Sequence, residues 1–168
     1  MLLLCAAAWP ASAPSEYQIK AVYLFNFGQF VEWPPAAFPT PSSPFVIAVV
    51  GEDPFGKLLE DVVRGESLGS HQIVVKRFRS AAEIDSCNIL FIGRAEADRL
   101  PSILAPLRGR SILTVTDVDG AEKLGAIIVL YTQNNRIRMR INLAAARAGN
   151  LVISSKLLRP AEVIGAEG

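Results

Sequence analysis

Residues Gly51–Leu58 read GEDPFGKL and follow the apolar run FVIAVV. A Gly-x-x-x-x-Gly-Lys run after a strand is most of a phosphate-cradling loop. The remaining requirements are not met. Pro54 has no N–H to offer. Glu52 and Asp53 oppose a triphosphate, and Leu58 stands where a Ser or Thr would hold magnesium. An ordinary strand-to-helix turn explains the same residues, with Asp53 as helix cap, Pro54 at the first helical position and Gly51 as the permissive turn.

His71 is the one histidine, and it reads as an exposed residue of the loop GESLGSHQ. Without a cluster of partners it makes neither a metal site nor a nucleophile–base pair. The acidic residues stand singly or at helix starts, as in Glu96–Asp98, which suits the helix dipole rather than acid/base catalysis. The sequence therefore names no catalytic residue, no metal ligand and no cofactor.

Two polar constellations suit binding. Arg136, Arg138 and Arg140 alternate with Ile137, Met139 and Ile141, giving a strand one cationic and one apolar face. Such a comb suits a carboxylate-rich partner or an anionic ligand. It also suits a solvated edge hairpin, whose charges discourage aggregation. The segment ISSKLLRPAEVIG combines Ile153, Leu157, Leu158, Val163 and Ile164 with Lys156 and Arg159. It reads either as a partner surface with an apolar centre and charged rim, or as a closure of the domain's own core.

The elements that must position these residues alternate along the chain. Ser15 caps a helix on which Ile19, Val22, Tyr23, Phe27 and Phe30 recur near helical spacing, and Pro34-Pro35 ends it. Tyr17, Tyr23, Phe25, Phe27, Phe30 and Trp33 are too many for one helix face, so part of the set is core and the remainder a patch for dimerisation or partner binding. A proline-rich loop follows. Strands are then expected at 45–50, 73–78, 88–92 and 111–115, separated by helical pieces at 54–63, 81–84, 96–107 and 118–124. Short β-branched strands alternating with helices predict a mostly parallel sheet covered on both faces. A hairpin turning at Gln133-Asn134-Asn135, a helix from Asn142 to Gly149 and a last helical piece complete the chain. The expected fold is α/β: one three-layer domain over residues 14–168, with a Rossmann-like sheet and a C-terminal antiparallel hairpin.

Composition narrows the partners. Seventeen basic residues nearly cancel sixteen acidic ones over 168 residues, which gives no case for nucleic acid or an anionic membrane surface. No internal apolar run approaches a membrane span, so no insertion of the mature chain is expected. MLLLCAAAWPASA, residues 1–13, reads as a secretory signal ending in a small-x-small cleavage site, without the usual basic start. Its loss would leave Cys87 as the remaining cysteine, either a packed thiol in SCNILFIG or a reactive one.

EYQIKAVYLFNFGQFVEWP, FVIAVVGEDPFG, SCNILFIG and INLAAARAGNLVISSKLLRPAEV, taken in order, resemble the YfiR family of periplasmic regulators. The likeness runs from about residue 16 to 163. It implies a periplasmic, homodimeric α/β protein without catalytic activity. It further implies a repressor that holds the periplasmic sensor domain of a membrane diguanylate cyclase inactive, lowering cyclic di-GMP and biofilm formation. An outer-membrane lipoprotein would sequester the repressor. Disulfide control known from relatives is in doubt here, since only Cys87 should survive processing. The competing reading is a small-ligand sensor or carrier, with a pocket at the carboxyl ends of the strands. Gly51, Glu52, Asp53, Gly93, Arg94, Thr116 and Asp117 would line that pocket. A hydrolase or NTPase has little support.

Overall fold

The computed structural model describes residues 14–167, so the expected leader lies outside the described residues. Helix α1, Glu16–Phe30, opens with a capping box in which Ser15 and Gln18 satisfy each other's backbone N–H groups. It ends earlier than Pro34-Pro35 suggests. Val31 turns extended so that β1, Val31–Glu32, can pair with a strand from the far end of the chain.

Strand β2, Phe45–Val50, is buried along its whole length. Phe45, Ile47 and Val49 face one core, and Val46, Ala48 and Val50 face the other. This two-sided burial explains why the strand lacks polar alternation. Helix α2, Leu58–Val63, begins later than expected. Asp53 caps a tight turn at Phe55, not a helix, and Pro54 lies in that turn. Short β3, Ser67–Leu68, pairs antiparallel with the start of β4, His71–Phe78. Strand β5 is Ile89–Ile92; Asn88 before it accepts the Val46 N–H through its side chain at 2.8 Å.

The expected 96–107 helix divides into a tight 3-10 turn at Arg94–Arg99, helix α3 at Leu100–Leu104 and a second 3-10 turn at Ala105–Leu107. Pro101 and Pro106 lack the N–H groups a continuous helix would use. Strand β6, Leu113–Thr116, leads through another 3-10 turn at Ala121–Leu124 to β7, Ile128–Gln133. Strand β8, Arg136–Asn142, returns antiparallel from Asn134-Asn135, both with positive φ as a two-residue hairpin turn requires. Asn142 caps α4, Leu143–Ala148. Strand β9, Val152–Ile153, pairs with β1, and Ser154 caps α5, Ser155–Leu158. The last helical piece expected over SSKLLRPAEVIG is helical only at Ser155–Leu158; the residues after it form a strand instead. Pro160 stops the helix, and β10, Glu162–Ile164, adds parallel to β8.

The sheet order is β10-β8-β7-β6-β5-β2-β4-β3, parallel through β4, β2, β5, β6 and β7. Numbered along the chain, those five strands run 2-1-3-4-5, a doubly wound order whose switch point lies between β2 and β5. Helices α1, α2, α4 and α5 pack with one core, and α3 with the other. The mostly parallel three-layer α/β sheet expected from the sequence is the one observed. The C-terminal hairpin is internal to the sheet at its Asn142 end, because β10 covers it there.

Candidate partner-binding surface

The carboxyl ends of β2, β5 and β6 bring Gly51, Glu52, Gly93, Thr116 and Asp117 to the switch point, but side chains of the protein fill it. The Glu96 carboxylate lies against Gly51, and its Oε1 is 3.4 Å from the Glu52 N–H. A carboxylate thus sits where a nucleotide fold would receive a phosphate, which excludes that use of GEDPFGKL. Thr116 donates its hydroxyl to the Ile92 carbonyl at 2.6 Å, and Asp53 pairs with Arg77 at 2.7 Å. Gly51 has φ +77°, and a Cβ there would come within 2.2 Å of Glu96 Oε1. Gly51→Ala is expected to cost about 2–5 kcal/mol, the sum of left-handed strain and overpacking. Urea unfolding checks this, and a loss under ~1 kcal/mol would show that the crevice can open.

Asp117 is enclosed by a cluster the sequence did not reveal. Its Oδ2 accepts from Lys20 Nζ at 2.7 Å and Tyr17 Oη at 2.9 Å, and Arg94 Nε lies 3.5 Å away. Lys20 also pairs with Glu16, which Arg94 reaches from outside. Lys20 belongs to the buried stripe of α1 with Ala21, Leu24 and Phe27, while Val22 is exposed. The stripe read from spacing is therefore rotated, because apolar residues surround this helix and no face stands out. The usable signal was Lys20 itself, a cation in register with Leu24 and Phe27.

The cluster has a pH signature. The Lys20 hydrogen bond holds the Glu16 carboxyl below its ordinary range despite partial burial. Its stabilising effect is present above the unfolded-state value of about 4.3 and is lost as pH falls through the folded value. Burial, then the Asp117 hydrogen bond, push the Tyr17 phenol up to about 12. That stabilisation is present below the unfolded value of about 10 and is lost as pH rises through the folded one. Urea midpoints are expected to be flat near neutrality and to fall below about pH 4.5 and above about pH 10.

His71 does not lie in an exposed loop. It starts β4, stacks on Phe38 at 4.0 Å between ring centroids, and its Nδ1 lies 2.6 Å from the Ser43 carbonyl oxygen. Among the described residues no group of three or more His, Cys, Asp or Glu side chains could hold a metal ion. Cys87 is buried, and desolvation pushes its thiol up to about 12. A thiol reagent at pH 8 is expected to leave it unmodified until urea unfolds the chain; rapid native labelling would contradict its burial.

The C-terminal residues separate into two groups. Ile153 and Leu157 are buried in the core, so the apolar centre read for this segment closes the fold at those positions. Leu158 packs partly against that core, and Val163 and Ile164 are half-buried in β10. Lys156 lies over the Phe30 ring, and Arg159 is exposed. The arginine comb is also divided. Arg140 is tied down by Glu162 at 3.2 Å, Glu122 at 3.3 Å and Asp119 at 3.5 Å, and stacks on Tyr131. Arg136 and Arg138 are exposed, with no ion-pair partner among the described residues.

Beside these two arginines the surface is unfinished. Strand β10 pairs with β8 only from Arg140 to Asn142, so Arg136–Met139 has its neighbour β7 on one side alone. Tyr23 of α1 lies between two grooves. One, about 530 Å³, runs along Ile19, Arg136 and Ile137 and also meets Glu16, whose charge Lys20 and Arg94 already pair; the other, about 390 Å³, runs along Arg138, Met139 and Pro160. An open strand edge, an apolar floor and two uncommitted cations provide what an acidic extended segment needs.

A sequence profile of the YfiR/HmsC-like family matches residues 17–162, and the chain belongs to that family, which is regulatory and non-catalytic. A search of curated proteins finds no match. No helix among the described residues is long and apolar enough to cross a membrane.

Proposed function

We propose that this YfiR/HmsC-like chain is a periplasmic, non-enzymatic regulator that holds the sensor domain of a membrane diguanylate cyclase inactive, lowering cyclic di-GMP and biofilm formation. The observation that carries the reading is the open β8 edge, with free Arg136 and Arg138 beside the groove under Tyr23. Family membership supports the regulatory class. A repressor acts by binding one state of its target better than another, so a stable scaffold with one adhesive edge suffices. In this reading the chain is exported and homodimeric, and an outer-membrane lipoprotein competes for it. Lys156, Arg159, Val163 and Ile164 form the flank of the contact.

The test is to express the mature chain with the membrane diguanylate cyclases of its own host that carry a periplasmic sensor domain. Cyclic di-GMP is measured, and detergent extracts are tested for co-purification. A fall in cyclic di-GMP together with a stable complex supports repression. A folded, exported chain that neither binds the cyclase nor changes cyclic di-GMP overturns it.

A further inference from the structure

We infer that the chain binds a small aromatic or short aliphatic carboxylate in a cavity at the opposite end of the sheet from the closed switch point. The cavity holds about 180 Å³ and lies where the α3-to-β6 connection, the entry to β7 and helix α4 meet. Leu104, Leu107, Ile112 and Ile127 form its walls, each no more than 6% exposed, and Ala145 closes one side. An apolar cavity of ~150 Å³ accepts benzene in an engineered protein, so this space fits one six-membered ring or a chain of similar bulk.

The polar groups give the ligand its charge and orientation. No acidic side chain lines the cavity, and Arg108 and Arg110 do. Arg110 is committed to the Asp85 carbonyl at 2.6 Å. Arg108 is exposed and has no ion-pair partner among the described residues. Gly125 lies beside it: a Cβ there would stand 3.7 Å from Arg108 Nε, in ordinary van der Waals contact, and its φ of +101° accounts for the glycine. Inside, Thr114 is 4% exposed and accepts the Ile127 N–H at 3.0 Å, leaving its hydroxyl hydrogen for a ligand. An apolar body fits the Leu and Ile walls, and a carboxylate fits the unpaired Arg108. Neither the cyclase contact nor the β8 edge takes part, so the site stands apart from the proposed repression.

The experiment uses the mature chain and 4-fluorobenzoate, followed by fluorine NMR titration. Saturable binding is expected, weakened at least tenfold by Arg108→Ala and abolished by Ala145→Leu, which fills the cavity. The uncharged 4-fluorotoluene should bind more weakly than 4-fluorobenzoate, and octanoate should displace the latter. Arg108→Ala changes an exposed residue, so its circular dichroism should match the parent even if Ala145→Leu fails to fold. Absence of saturable binding to the folded chain overturns the assignment. So does binding that Arg108→Ala leaves unchanged, since the ligand would then lie elsewhere.

Discussion

Lys20→Met is expected to lower the unfolding free energy by about 3–5 kcal/mol, because it leaves Asp117 charged and enclosed without its cation. Lys20 is 1% exposed and the Asp117 side chain 0%, so water cannot replace the lost partner as it would for a surface pair. Arg94 lies farther off at 3.5 Å and is partly solvated, so it offers only partial compensation. The corresponding fall in melting temperature is roughly 6–20 °C for a domain of this size. Lys20→Met combined with Asp117→Leu removes both charges and should recover most of the loss, since buried pairs often do not outperform apolar replacements. Calorimetry of the two variants separates the explanations. A single variant within ~1 kcal/mol of the parent would mean that the cluster is hydrated. The consequence reaches function: Lys20 anchors α1 to the end of β6, and α1 carries Ile19 and Tyr23 to the groove. Loosening this tie is expected to weaken partner binding even where the sheet survives.

If the proposed complex with a cyclase sensor domain forms through this edge, the double charge reversal Arg136→Glu with Arg138→Glu is expected to weaken it by at least ~100-fold with no change in melting temperature. Both residues are exposed and lack ion-pair partners among the described residues, so the free protein loses little. Association should be slowed most at low salt and recover as salt is added, opposite to the parent's trend, because attraction by these two charges is replaced by repulsion. Arg140→Glu is the internal contrast. It places a fourth carboxylate among Asp119, Glu122 and Glu162 and should destabilise the fold itself. Surface plasmon resonance at several salt concentrations, with thermal melts, checks both variants. Parent-like affinity in the double variant would remove the hairpin tip from the interface.

Much of the scaffold is legible in the chain. Alternating short apolar strands and helical segments require two-sided burial, and the cores on either face of β2 and β5 meet that requirement. Ser15, the Asn134-Asn135 turn and the Asn142 cap are equally readable, because each acts through bonds within a few residues. The elements that shifted did so for local reasons seen only in context: Pro101 and Pro106 divided one helix, and Asp53 turned the chain before α2 could begin.

The binding features were less legible. The carboxyl ends of the strands looked available because Gly51 and Gly93 follow them, yet Glu96, three residues beyond Gly93, swings back to fill the space. In the sequence the arginines at 136, 138 and 140 are equivalent. Only the position of β10 and the 3-10 turn after β6 commits Arg140 and leaves the other two free. By itself, then, the sequence determined the α/β class, the local caps and turns, the mismatch of GEDPFGKL with a phosphate loop and the family likeness, all of which rest on residue type and short spacing. The tertiary structure alone decided which charges are buried, which edge stays open and where a cavity remains, because those depend on residues such as Lys20 and Asp117, 97 positions apart, meeting in space.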